Sequence, residues 1–131
     1  MTQPIQSVQI YYEHPFGAER EVLREFFSFA GCLVKTTMMP VETMLEKHKS
    51  LVNSGSGRIT HLFLTDRQPK SIVLSKNEMW CSFRISKREL TINRKAILRN
   101  EDQKISAEQF EKAALDAVSY THLTLPTSDL V

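Results

Sequence analysis

At 131 residues the chain is long enough for one domain and short for two. Its 41% hydrophobic and 24% charged residues allow a core beneath an ordinary polar surface, and a net charge of +2 supplies no strong positive field for nucleic acid or anionic lipid. No apolar run approaches the roughly 20 residues of a membrane helix, and Met1-Thr2-Gln3-Pro4 does not begin a basic-then-apolar leader. The expected compartment is the cytoplasm.

Ser7 to Tyr12 alternates apolar and polar residues before turning aromatic, which predicts a first strand. Glu13-His14-Pro15-Phe16-Gly17 is a turn cluster, because proline cannot continue a strand and glycine permits a tight turn. Ala18 to Ala30 carries Val22, Leu23, Phe26, Phe27 and Ala30 on one stripe, with Glu19, Arg20, Arg24 and Glu25 mostly off it; this is an amphipathic helix. Gly31 is placed to stop it in a left-handed conformation. Cys32 to Met38 reads as a second strand, and Met39-Pro40 breaks it. Val41, Met44, Leu45, His48, Leu51 and Val52 recur at helical spacing, so a second helix is expected over 41–52. Asn53-Ser54-Gly55-Ser56-Gly57 is a loop. Ile59 to Thr65 is an apolar run, predicted to be the central buried strand, and Asp66 follows at its rim.

Strand, helix, strand, helix, strand with short connections predicts parallel strands with right-handed crossovers, the first half of a doubly wound α/β sheet. After Asp66 the pattern changes. Ser71 to Ser75 is a brief apolar run, too close to Asp66 for an intervening helix; either a loop carries the chain across or a third helix is lost. Met79 to Ile85 alternates as a strand with one wet face would. Leu90 to Ile92 reads as a further strand, with Ala96 to Leu98 opposite it in a hairpin. Ser106-Ala107-Glu108-Gln109 has capping-box form, and Ala107, Phe110, Ala114 and Ala117 make the apolar face of a last helix. Cys32 and Cys81 lie in apolar runs as reduced core thiols would, a single buried disulfide being the alternative.

Glu13 and Asp66 are the first candidates for chemistry. Each ends a strand, and parallel strands put both at one sheet edge, where ligands of such sheets bind. Two carboxylates there suit Mg²⁺, which takes hard oxygen ligands. On these residues the chain resembles flavodoxin-like signalling domains, especially the response-regulator receiver family. The resemblance covers roughly residues 7–75. It implies Mg²⁺ held near Glu13 and a phosphoryl group accepted by Asp66, with Ser75 and Lys76 as phosphate-side residues. The residues by themselves read Asp66 as part of a turn with Arg67-Gln68-Pro69. A second resemblance lies in Leu74-Ser75-Lys76-Asn77 with Trp80-Cys81, which is similar to a run in Toll/interleukin-receptor (TIR) domains, also flavodoxin-like. It implies an NAD-processing relative, although the first acid after Trp80-Cys81 is Glu89. The residues alone place Trp80 and Cys81 in the strand core and rim.

His14, His48 and His61 are spaced as separate core or surface residues and do not form a ligand set. Gly55 and Gly57 precede a strand, whereas a phosphate cradle precedes a helix. Arg84, Lys87, Arg88, Arg94, Lys95 and Arg99 make one stretch locally basic, but Glu89, Glu101 and Asp102 dilute it to a solvated face; DNA binding is the third reading. Val118 to Thr127 resembles the peptide made when sequencing-adapter DNA is translated. Residues 1–118 are therefore expected to form one flavodoxin-like α/β domain, incomplete at its end, with 119–131 a non-native or disordered tail. The expected function is a non-catalytic signalling or regulatory interaction module without a cofactor, acting through a protein partner or a further effector domain.

Overall fold

Extended, β-branched and aromatic segments alternate with amphipathic ones along this chain, and each takes the conformation its pattern favours. The computed structural model describes residues 7–55, 58–69, 72–75, 77–92 and 109–118. Among them are strands β1 (Ser7–Tyr12), β2 (Leu33–Met38), β3 (Ile59–Leu64), β4 (Glu78–Arg84) and β5 (Glu89–Ile92). The helices are α1 (Gly17–Phe29), α2 (Val41–Ser54) and a third, α3, over 109–118. The strands form one sheet in the order β2-β1-β3-β4-β5. All neighbours are parallel except β4 and β5, which are antiparallel.

The predicted opening of two strand–helix units and a central strand is observed, with ends moved by one or two residues. Gly31 ends α1 at φ 91°, in the region only glycine enters freely. Neither helix is capped by the side chain of the residue just before it. Instead, α1 is held by its apolar stripe, with Leu23 and Phe27 buried, and α2 by Val41, Met44 and Leu51. Glu19, placed off the stripe by the sequence pattern, is buried because its carboxylate accepts the Ile85 N–H at 2.9 Å at the end of β4.

Side chains alternate across a sheet, so the two faces can be told apart. Arg20 of α1 lies over the Tyr12 ring, and Lys47 of α2 lies over the ring of Tyr11. The two helices therefore cover opposite faces. α3 sits beside α1, where Phe110 stacks on Phe27 with ring centroids 6.0 Å apart. Beneath α2 a row of rings crosses three strands. Tyr11 stacks on Phe63 at 4.8 Å and Phe63 on Trp80 at 4.4 Å, following the strand register. Phe63 and Trp80 are essentially fully buried, each contributing roughly 1.5–3 kcal/mol of apolar burial.

In the second half of the sheet one of two alternatives is observed and one expectation fails. Residues 72–75 belong to a loop that carries the chain from β3 to β4 without a helix among the described residues, the first of the two alternatives the sequence allowed. β4 has no wet face over most of its length. Glu78 through Cys81 are all buried, because β3 pairs with all four and α2 lies over the face of Glu78, which it meets through His48. The partner of β5 is β4, with Phe83 opposite Leu90. The proposed strand Ala96–Leu98 lies outside the described residues, as do Lys76, Ser106 to Glu108 and the tail 119–131. Cys32 and Cys81 are both buried and reduced.

Candidate functional site

The carboxyl ends of β1 and β3 lie side by side, Tyr12 opposite Leu64, and the Glu13 N–H donates to the Leu64 carbonyl at 3.1 Å. This puts Glu13 and Asp66 on the same rim, as their positions in the sequence imply. Their environments differ. Glu13 is buried; Asp66 is exposed in a bend. The Glu13 carboxylate accepts the Thr65 hydroxyl at 2.6 Å and pairs with the Arg67 guanidinium. It also accepts from the backbone of Val41, the first residue of α2. Burial pushes the Glu13 carboxyl up, but Arg67, Thr65 and the Val41 amide together outweigh it and hold the group below its ordinary 4.5.

Glu13 is thus a cap supplied to α2 from another strand. The first amides of a helix have no partner within it, and its N-terminus favours negative charge. The turn that follows β3 is closed by Thr65, whose hydroxyl accepts the Arg67 N–H at 3.1 Å. This is a Ser/Thr-type turn, with Asp66 at its exposed middle. The oxygens a Mg²⁺ ion would use on Glu13 are engaged by Arg67 and Thr65 in this arrangement. Among the described residues no group of three or more His, Cys, Asp or Glu side chains is gathered as a metal ion would need.

Ser75 is not brought to this rim. It precedes β4, which runs parallel to β3, and so lies toward the opposite sheet edge. There it joins a buried polar network that residue spacing gave no means of assembling. Glu78, with no exposed surface, accepts four hydrogen bonds. One oxygen takes the Ser75 N–H at 3.0 Å and the Ser75 hydroxyl at 2.8 Å. The other takes the Trp80 indole N–H at 2.7 Å and His48 Nδ1 at 2.6 Å. An amide and an indole N–H can only donate, so Glu78 is the acceptor of the network and His48 carries its proton on Nδ1. The histidine expected in the core of α2 proves to be the tie between α2 and β4.

His61 lies beside this network, opposite Glu78 across the β3–β4 pair. Its Nδ1 meets the Tyr11 hydroxyl at 2.7 Å, and that hydroxyl gives its one proton to Gln9 Oε1 at 2.6 Å, so in this arrangement the Tyr11 oxygen accepts from an Nδ1–H of His61. Burial first, and the nearby Lys47 second, push the imidazole down to about 4, against a smaller opposing pull from Glu78. His61 is neutral at pH 7. Burial also pushes the Tyr11 hydroxyl up to about 12 and raises the Cys81 thiol, leaving it unreactive.

The surface offers a third feature. Phe29 at the end of α1 is 90% exposed, and Leu33 and Met38 of β2 are 61% and 58% exposed. β2 is an end strand of the sheet. No helix among the described residues is long and apolar enough to cross a membrane. No protein-family model, curated protein or solved structure matches the chain.

Proposed function

We propose that this chain is a non-catalytic signalling or regulatory interaction module with a flavodoxin-like fold, acting through a protein partner or a further effector domain. The strand order β2-β1-β3-β4-β5 supports the fold assignment. The observation that carries the functional reading is the exposure of large apolar side chains, Leu33 and Met38 on the edge strand and Phe29 at the end of the helix before it. Large apolar side chains left exposed on and beside an edge strand favour a contact surface there. The rim weighs in the same direction, because the Glu13 carboxylate is spent on α2 and Arg67.

Site-specific photo-crosslinking tests the reading. A crosslinker at Phe29 or Leu33, in cells that carry the gene, should give discrete protein adducts that the same group at exposed Lys49 does not give. Equal labelling at all three positions, or none, would defeat the proposal. A second reading, a Mg²⁺-dependent phospho-acceptor, draws on the exposed carboxylate of Asp66 at the end of the central strand. It requires an acid-stable, alkali-labile acyl phosphate after incubation with acetyl phosphate and Mg²⁺, lost in Asp66→Asn.

A further inference from the structure

We propose that β2 accepts an extended, acidic peptide segment of a partner as an added strand. The inference rests on the interaction-module reading and names the chemistry of the partner. The Met39 N–H donates to the Tyr12 carbonyl at 2.9 Å. Backbone groups of successive strand residues point to alternate sides, so Lys35 and Thr37 also turn their N–H and C=O groups toward β1. The corresponding groups of Val34, Thr36 and Met38 then face away from the sheet, and no strand among the described residues pairs with that side of β2. An extended peptide satisfies such a row directly, with its backbone supplying affinity and its alternate side chains supplying selectivity.

Charge decides what kind of peptide fits. Lys35 is exposed and makes no ion pair among the described residues, and β2 contains no acid to neutralise it. A second copy of β2 is a poor occupant. In antiparallel self-pairing the outward-facing residues Val34, Thr36 and Met38 must meet one another, so Lys35 falls opposite its own copy or diagonal to it on the same face, and like charges there are unfavourable. A segment with a carboxylate opposite Lys35 gains what self-pairing loses. Leu33 shares the face of Lys35 and is exposed, so an apolar residue two positions from the acid has a place to pack.

The test uses the whole chain labelled with ¹⁵N and a library of hexapeptides at millimolar concentration, β-branched at alternate positions with Asp, Glu or Lys at the centre. Acidic members should slow amide exchange at Val34, Thr36 and Met38 and leave Lys35 and Thr37 as they were. N-methylation of the peptide amides on the pairing side should abolish the effect without touching the protein. Lys35→Glu should shift preference from acidic to basic peptides by about two- to fivefold, the range of an exposed ion pair. If no member protects these three amides, strand addition is wrong, while crosslinking at Phe29 would still uphold the interaction reading. Sedimentation showing a dimer that buries β2 would overturn the proposal in favour of a second copy.

Discussion

Glu78→Gln replaces a buried carboxylate by a group of the same shape that can accept at only one end. If the amide oxygen faces His48 and Trp80, the NH₂ group faces the Ser75 N–H, and two donors meet. If it is turned round, the NH₂ group faces the Trp80 indole N–H, which cannot accept either. One buried donor is therefore left without a partner in either orientation, at about 1–3 kcal/mol. The surviving bonds also lose the charge assistance that roughly doubles their strength. Together these predict a loss of about 2–4 kcal/mol, a large share of the roughly 5–15 kcal/mol that keeps a domain folded. Urea unfolding followed by far-UV circular dichroism and by fluorescence measures it. Trp80 is the chain's single tryptophan and bonds to Glu78, so its emission should also change in the folded state. A shift in midpoint at constant m-value, with both probes coincident, is expected. A loss below about 1 kcal/mol with unchanged emission would refute the reasoning that Glu78 holds α2 to β4.

The neutral His61 gives stability a defined pH limb. Its folded pKa of about 4 lies below its ordinary 6.5, so its contribution is whole above 6.5 and is lost as pH falls toward 4. The difference corresponds to roughly 3 kcal/mol, which partial solvent screening reduces to about 2. In His61→Gln the fall in unfolding free energy between pH 6.5 and 4.5 should be smaller than in the parent, and an unchanged pH curve would contradict the assignment. Glu13→Gln removes the charge that caps α2 and pairs with Arg67; a loss of about 1–2 kcal/mol is expected by urea titration, as for other helix caps. The acid limb below 4.5 should flatten in the same variant, because the lowered carboxyl contributes above that pH and fails below it. Gly31→Ala meets no neighbouring atom but must hold φ near 91°, so it should cost about 1 kcal/mol through backbone strain alone, read as a lower melting temperature.

The parts of this molecule written in local pattern were legible in the sequence. Ser7 to Tyr12, the stripe of α1, the stop at Gly31 and the run from Ile59 each carry their own periodicity or punctuation, and a strand–helix–strand order allows few topologies. The alternation of Met79 to Ile85 misled because alternation reports a half-buried strand, while Glu78 is buried through a polar network instead of an apolar one. Nothing in the spacing of Ser75, Glu78, Trp80 and His48 announces that network, since His48 arrives from α2 by a tertiary contact. The same holds at the rim. Glu13 and Asp66 were readable as strand-end acids, but the partners of Glu13 come from the turn after β3 and from the first turn of α2, and those decide that it serves the fold.

The loop between β3 and β4 has a consequence for how the chain finds this sheet. Parallel neighbours are commonly joined by a crossover helix, and their pairing then waits for that helix to form and dock. Here His61 pairs with Glu78, while Ser7 must find Ile59 about three times as far along the chain. Loop closure over three times the length costs about 1 kcal/mol more in chain entropy. The β4–β5 hairpin closes over a shorter loop still. Chain entropy thus favours pairing among β3, β4 and β5, at the Trp80 end of the row of Tyr11, Phe63 and Trp80, over pairing of β1 with β3.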